Sequence, residues 1–293
     1  MDNRAEIREF LRTRRAKLRP GDTGLPDFGG IRRVPGLRRE EVALLAGLSV
    51  EYYTRLERGG MAGVSENVLE ALARALQLDD AERQHLLDLA RAAGPAPRAP
   101  RRKRGQVSAS LQRLLDGMTE VPAFIRNGRL DVLGINALGQ MLYSEAFVSS
   151  ERPVNLARFC FLEEGAHRLY PDWQVAAETA VALLHIEAGR DPSDEGLTEL
   201  VGELSTKSEE FRKLWAKHDV RLHLSGYKDF RHPQVGDLHL ALDSLLLPAE
   251  HGLTLTAYSA DPNTPSETRM LELIELTYAG ARRQAGRQSV VSR

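Results

Sequence analysis

The chain is 293 residues long, 42% hydrophobic and 28% charged, with a formal net charge of −1 and one cysteine. That length predicts two domains, the lone cysteine excludes an intramolecular disulfide framework, and no apolar run reaches the roughly eighteen residues that span a bilayer. The near-neutral total hides an asymmetry: residues 1–106 carry 21 Lys/Arg against 15 Asp/Glu, whereas residues 107–293 carry 19 against 26. A basic front and an acidic back suit a chain that meets a polyanion with one end only.

The first predicted element is a helix from Asn3 to Arg19, with Ile7, Phe10, Leu11 and Leu18 on its apolar side. Pro20–Gly30, with two prolines and four glycines, reads as a long loop. Arg32, Arg33, Arg38 and Arg39 then flank a Pro-Gly turn. Next to a groove-reading unit such arginines fix register through phosphates; elsewhere they are solvated surface.

Residues 37–59 read as a helix-turn-helix. Val42 and Ala46 turn the first helix inward, and Ala43 lets a second helix cross closely. Gly47 stands where the chain needs a positive φ. Leu48 plugs the turn, Ser49 caps a helix beginning at Val50, and Tyr53 and Leu56 return that helix to the core. This pattern resembles the Cro/C1-type DNA-binding domain. The resemblance implies that Val50, Glu51, Tyr52 and Arg55 face DNA, with Ser49 at the helix start beside them. Arg55 can then donate two hydrogen bonds to guanine, Glu51 can accept from cytosine, and Val50 can touch a thymine methyl. The alternative is that Glu51 and Arg55 form an i, i+4 surface pair. Two further helices complete the domain, one capped by Ser65 with Val68, Leu69, Leu72, Ala75 and Leu76 inward, the other opened by Asp79 or Asp80.

These boundaries predict an all-α DNA-binding domain over 1–93, a Pro/Arg-rich linker over 94–106, a second domain over 107–280 and a tail over 281–293. In the second domain, Val121–Arg126 and Leu130–Ile135 are apolar stretches joined through Asn127-Gly128, the signal of a tight type I′ hairpin. A helix follows over Asn136–Tyr143. Pro171–Gly189 reads as a helix with proline at its first turn and glycine at its end. Leu197–Leu204 and Glu209–Lys217 are helical. Three strands, Val220–Phe230, Asp237–Leu246 and Leu253–Ala260, precede a helix from Ser266 to about Ala279. The expected class is α+β, an antiparallel sheet with helices on one side.

Further motifs carry a second resemblance. Residues 32–43, 52–59 and 68–76, with Asn155-Leu-Ala-Arg158, Tyr170-Pro-Asp-Trp173, Leu200-Val-Gly-Glu-Leu204, Phe211–Val220 and Phe230–Gly236, are similar to the MmyB-like branch of this superfamily. Ile135 stands where that branch usually has tryptophan, and Val64 where it usually has proline. The resemblance implies a PAS-like C-terminal domain that senses a small, acyl-chain-type apolar ligand, and a regulator of metabolic genes.

Tyr143, Phe159, Trp173 and Phe230 supply large apolar surface for such a ligand, and Trp215 is a candidate cavity wall with Arg212 or His218 holding a polar head group. Trp215 and His218 read equally as core. Arg231-His232-Pro233 reads as a turn lock, and Cys160, in an apolar run, as a buried inert thiol. No metal-ligand spacing or phosphate-binding glycine loop is present. The expectation is a cytoplasmic, non-enzymatic, cofactor-free, dimeric regulator that binds double-stranded operator DNA and a small-molecule effector and does not engage a membrane. The rival is a DNA-binding regulator whose C-terminal domain binds a protein.

Overall fold

The structure is a computed structural model that describes residues 3–25, 36–94, 107–148, 152–217, 225–247, 250 and 252–291. Arg32, Arg33, His218 and most of the linker lie outside the described residues. The residues cluster into two compact units, 1–100 with 181–222, and 101–180 with 223–293. No described helix is both long and apolar enough to cross a membrane.

In the first unit, α1 (Asn3–Lys17), α2 (Arg39–Ala46), α3 (Val50–Glu57), α4 (Glu66–Ala75) and α5 (Asp80–Ala93) enclose a single core. The expected loop after α1 begins instead with a 3-10 turn over Pro20–Thr23. Ile7, Phe10 and Leu11 of α1, Val42 of α2, Tyr53 and Leu56 of α3, and Leu72 and Leu86 of α4 and α5 are fully buried. The inward face of each helix thus falls at the i, i+3, i+4 spacing that the sequence displays. Asp79 and Glu82 close a reciprocal capping box at the start of α5, 2.8 and 3.2 Å across.

The same unit contains part of α10 (Trp173–Arg190) and all of α11 (Glu195–Lys207) and α12 (Glu209–Trp215). His185 of α10 is fully buried, its Nδ1 3.1 Å from Glu6 Oε1 of α1 and its Nε2 3.1 Å from the Trp215 carbonyl oxygen. Its ring stacks on Trp215 with centroids 3.8 Å apart. The predicted helix 171–189 is shifted, starting at Trp173 and running through Gly189 to Arg190. Gly189 is therefore no terminator. A Cβ there would lie 2.5 Å from His85 Cε1 of α5, so glycine permits close helix approach.

The second unit is built on a five-stranded antiparallel sheet of order β2-β1-β5-β4-β3: β1 (Ala123–Arg126), β2 (Val132–Ile135), β3 (Ser225–His232), β4 (Gly236–Leu246) and β5 (Thr254–Ser259). Here the expected tight type I′ turn is corrected. The β1–β2 connection runs from Asn127 to Asp131, closed by the Leu130 amide donating to the Asn127 carbonyl (3.2 Å), and Leu130 rather than glycine takes the positive φ of 68°. The Asn127 side chain accepts from the Asp131 amide at 3.0 Å, an Asx bond that competes successfully with the two-residue turn.

One sheet face packs on α7 (Ala137–Leu142), α8 (Leu156–Leu162), α9 (Gly165–Leu169) and α13 (Pro265–Val291) through Phe124, Leu138, Phe159, Leu169, Phe230, Leu240 and Leu273. The opposite face carries a smaller cluster of Ala123, Ile125, Leu253 and Leu255 under α6 (Ala109–Asp116), so helices cover both faces and the one-sided expectation is corrected. Asn136 joins these layers. It accepts from the amides of Ala123 (3.1 Å) and Gly139 (2.7 Å) and donates to the carbonyls of Met118 and Val121, both at 2.7 Å. All its hydrogen-bonding capacity is used, as burial demands.

Candidate nucleic-acid interface and buried aromatic centre

Gly47 leaves α2 with φ of 65°, its amide donating to Ala43 and Leu44 carbonyls, and Ser49 Oγ accepts from the Tyr52 amide at 3.1 Å. These two residues aim α3. Tyr53 and Leu56 enter the core while Val50, Glu51 and Arg55 are exposed and Tyr52 and Thr54 half-exposed. The Arg55 guanidinium lies 4.7 Å over the Tyr52 ring, which orients it, and it has no acidic partner among the described residues.

Arg4, Val50, Glu51, Thr54, Arg55, Arg58 and Gly60 line one open groove. Three arginines and one glutamate make it a surface for an anion. Arg58 follows Arg55 at helical spacing, a signal legible in the chain. Arg4 arrives from α1 only through folding: Gly59, with φ of 93°, lets the chain after α3 pass the Arg4 backbone, where a Cβ would lie 2.8 Å away.

Of the four arginines around the Pro-Gly turn, Arg38 and Arg39 are described. Arg39 is engaged by Glu57 at 2.7 Å and Arg38 Nη1 by Glu40 at 3.3 Å. Glu57 is nearly fully buried and also receives Arg15 at 2.8 Å. Burial alone would raise the Glu57 carboxyl, but the hydrogen bonds and charges of Arg15 and Arg39 outweigh it and hold it below the ordinary carboxylate range.

In the sheet unit, Tyr143, Phe159 and Phe230 are buried in one core, with Trp173 packed against it and donating from Nε1 to the Cys160 carbonyl at 2.8 Å. Phe124, Tyr170 and Tyr258 join them, with Tyr143–Phe124, Tyr143–Phe230 and Phe230–Tyr258 centroids 5.5, 5.4 and 5.3 Å apart in edge-to-face contact. The Tyr143 and Tyr258 hydroxyls lie 2.5 Å apart.

Lys228 enters this centre from β3. Its Nζ donates to Tyr143 Oη at 3.2 Å and lies 4.5, 5.3 and 5.5 Å from the Tyr170, Phe230 and Tyr143 ring centroids. Burial pushes its amine down to about 8, with the Cys160 position opposing and Arg126 adding to the shift. Sequence reading missed Lys228, although Lys228, Phe230 and His232 alternate with the exposed Tyr227, Asp229 and Arg231.

Arg212 and Trp215 belong to the first unit. Helix α12 buries Phe211 and Leu214, which turns Arg212 to solvent, where it donates to the Ser205 carbonyl at 3.3 Å; Trp215 stacks on His185 in the first unit. His232 locks its turn: it is buried, its Nε2 2.9 Å from the Met141 carbonyl oxygen, while the Gln234 amide donates to its Nδ1 at 3.3 Å. The neutral ring does both, and burial lowers its pKa.

The family described as MmyB-like transcription regulator ligand binding domain matches residues 107–274, and a helix-turn-helix domain family matches residues 6–86. Comparison with curated proteins gave no match.

Proposed function

The chain belongs to the MmyB-like transcription regulators, carrying a helix-turn-helix DNA-binding domain and a ligand-binding domain, and from that premise we propose how each works. The α3 face of Val50, Glu51, Tyr52 and Arg55 reads bases in the major groove, with Ser49 at its start and Arg4 and Arg58 on phosphates. Two copies bind half-sites about one helical turn apart, roughly 34 Å. The observation that carries this reading is the groove of three arginines around an exposed recognition helix.

The sheet unit is PAS-like and takes a small, largely apolar effector of the acyl-chain class among Tyr143, Phe159, Trp173 and Phe230. Six aromatic side chains converging on one sheet face support it. The effector changes operator affinity, and the protein needs no cofactor and performs no turnover. The test has two arms. Selection from random duplexes at physiological salt recovers an inverted repeat, and denaturing mass spectrometry of the purified protein identifies a co-purifying small molecule. Failure to enrich any sequence refutes base reading. A protein partner captured stoichiometrically in place of a small molecule favours the rival, in which the second domain docks a protein.

A further inference from the structure

Two glycines follow α3, and the backbone accounts only for the first. Gly59 takes a φ of 93°, which an L side chain rarely adopts. Gly60 lies outside that left-handed region, so its φ does not call for glycine. A glycine that no backbone conformation requires only adds freedom to the unfolded chain. Its reason must lie in what a side chain there would meet.

That neighbour is Arg55. A Cβ on Gly60 would lie 2.9 Å from Arg55 Cγ, 2.9 Å from the Arg55 carbonyl oxygen and 3.5 Å from the Arg55 carbonyl carbon, so all three of its nearest atoms belong to one residue. The Gly60 amide donates to that same carbonyl at 3.0 Å. The chain leaving α3 therefore runs against the stem of Arg55, while the Tyr52 ring, three residues earlier, lies 4.7 Å from its guanidinium. Gly60 borders the stem and Tyr52 the head. Arg58, exposed in the same groove, has neither contact among the described residues. A long side chain loses rotamer freedom when it binds, and one already held at both ends has less to lose. Bidentate contact with a base edge also demands a set direction of the guanidinium plane.

We propose that Gly60 is a positioning residue that determines specificity: its missing side chain lets the Arg55 stem lie against the chain with the guanidinium over Tyr52, and this pose confines Arg55 to one base pair. The inference rests on the reading of α3 as the recognition helix and names the residue that holds its arginine in place. In Gly60→Ala the stem is displaced, the guanidinium leaves the ring, and Arg55 becomes a cation for phosphates, which carry no sequence information. A glycine kept only to end α3 would behave otherwise, since its substitution would disturb the helix whatever side chain stood at position 55.

The experiment titrates the full chain, at one salt concentration, with the duplex recovered by selection, its single-base-pair variants and an unrelated duplex. Wild type, Gly60→Ala, Arg55→Ala and the double variant are compared. Wild type discriminates roughly five- to 150-fold at the base pair that Arg55 reads. Gly60→Ala removes most of that discrimination and leaves the other positions, and affinity for the unrelated duplex, as they were. In the Arg55→Ala background it changes no preference, because the residue it acts through is gone. Any fall in melting temperature from the contact with the Arg55 carbonyl persists in both backgrounds and is read separately. A Gly60→Ala protein that weakens every duplex alike, or loses as much in the Arg55→Ala background, overturns the inference and leaves base reading by Arg55 standing. Arg55→Ala with every base-pair preference intact removes that reading and the inference with it. Should Gly60→Ala not fold, wild type decides: nitrogen relaxation of the arginine Nε–H groups without DNA is expected to show Arg55 more ordered than Arg58, and equal mobility overturns the inference.

Discussion

Arg55 and Arg58 stand three residues apart in the same groove, and the proposed reading gives them different work. Arg55, oriented by the Tyr52 ring, has the reach for a bidentate contact to one base. Its replacement by alanine is expected to cost about 1–3 kcal/mol on the selected operator and to relax discrimination at one base pair. Arg58→Ala weakens all sequences alike and lowers the salt slope by about one. Binding isotherms on matched and mismatched duplexes over a salt series separate the two, and equal losses on both duplexes for Arg55→Ala count against base reading. Glu57 acts on the fold that presents these side chains. Its folded pKa lies below its unfolded value, so its stabilisation is complete above the ordinary value of 4.5 and disappears as pH falls through the folded value. Glu57→Gln should lose at neutral pH what wild type loses only in acid, about 3–5 kcal/mol for stranding Arg15 in a buried site. Denaturant melts between pH 3 and pH 7 report it, and an unchanged profile would falsify the assignment.

At the scale of elements, two glycines within helices make opposite predictions. Gly189 of α10 lies where a Cβ would meet His85 of α5 at 2.5 Å, whereas Gly202 of α11 has nothing within 4 Å. Gly189→Ala should therefore destabilise by about 1–3 kcal/mol through overpacking, and Gly202→Ala should stabilise by up to about 1 kcal/mol through helix propensity. Thermal melts of the pair decide it; two stabilised variants would refute the close approach. The chain alone reads Gly189 as a helix end, because local pattern does not distinguish a terminator from a glycine kept small by a distant partner. The same limit separates what was legible from what was not. The helix-turn-helix was legible because Gly47, Ser49 and Tyr53 act over a few residues, and β4 because Leu238 and Leu240 alternate with exposed neighbours. The β1–β2 turn was misread, since Asn127-Gly128 signals a tight hairpin while the Asn127 side chain bonds Asp131 instead. In the candidate sites, Arg55 and Tyr143 could be selected from local pattern. Arg4 and Lys228 gain their meaning only from α3 and from the rings that surround them.

At the scale of the whole molecule, the family match to the ligand-binding domain spans 107–274, yet residues 181–222 of that span cluster with the DNA-binding helices. The ligand-binding domain thus lends part of its own sequence to the unit that carries α3. His185 is the fastening within that unit, buried between Glu6 of α1 and Trp215 of α12. Were this segment the route from effector to operator, the contacts that hold it in the helical unit would carry the coupling. Linkage then sets a strict test: whatever factor the effector applies to operator affinity, operator DNA must apply to effector affinity, typically five- to about 150-fold for a coupling of about 1–3 kcal/mol. His185→Phe keeps the stacking surface on Trp215 and removes both hydrogen bonds. It should shrink both factors together while each ligand alone binds as before, measured by titrating effector with and without saturating operator. Undiminished coupling in a folded His185→Phe protein would place the transmission elsewhere, because the contact joining α1 to the lent segment would then carry none of it.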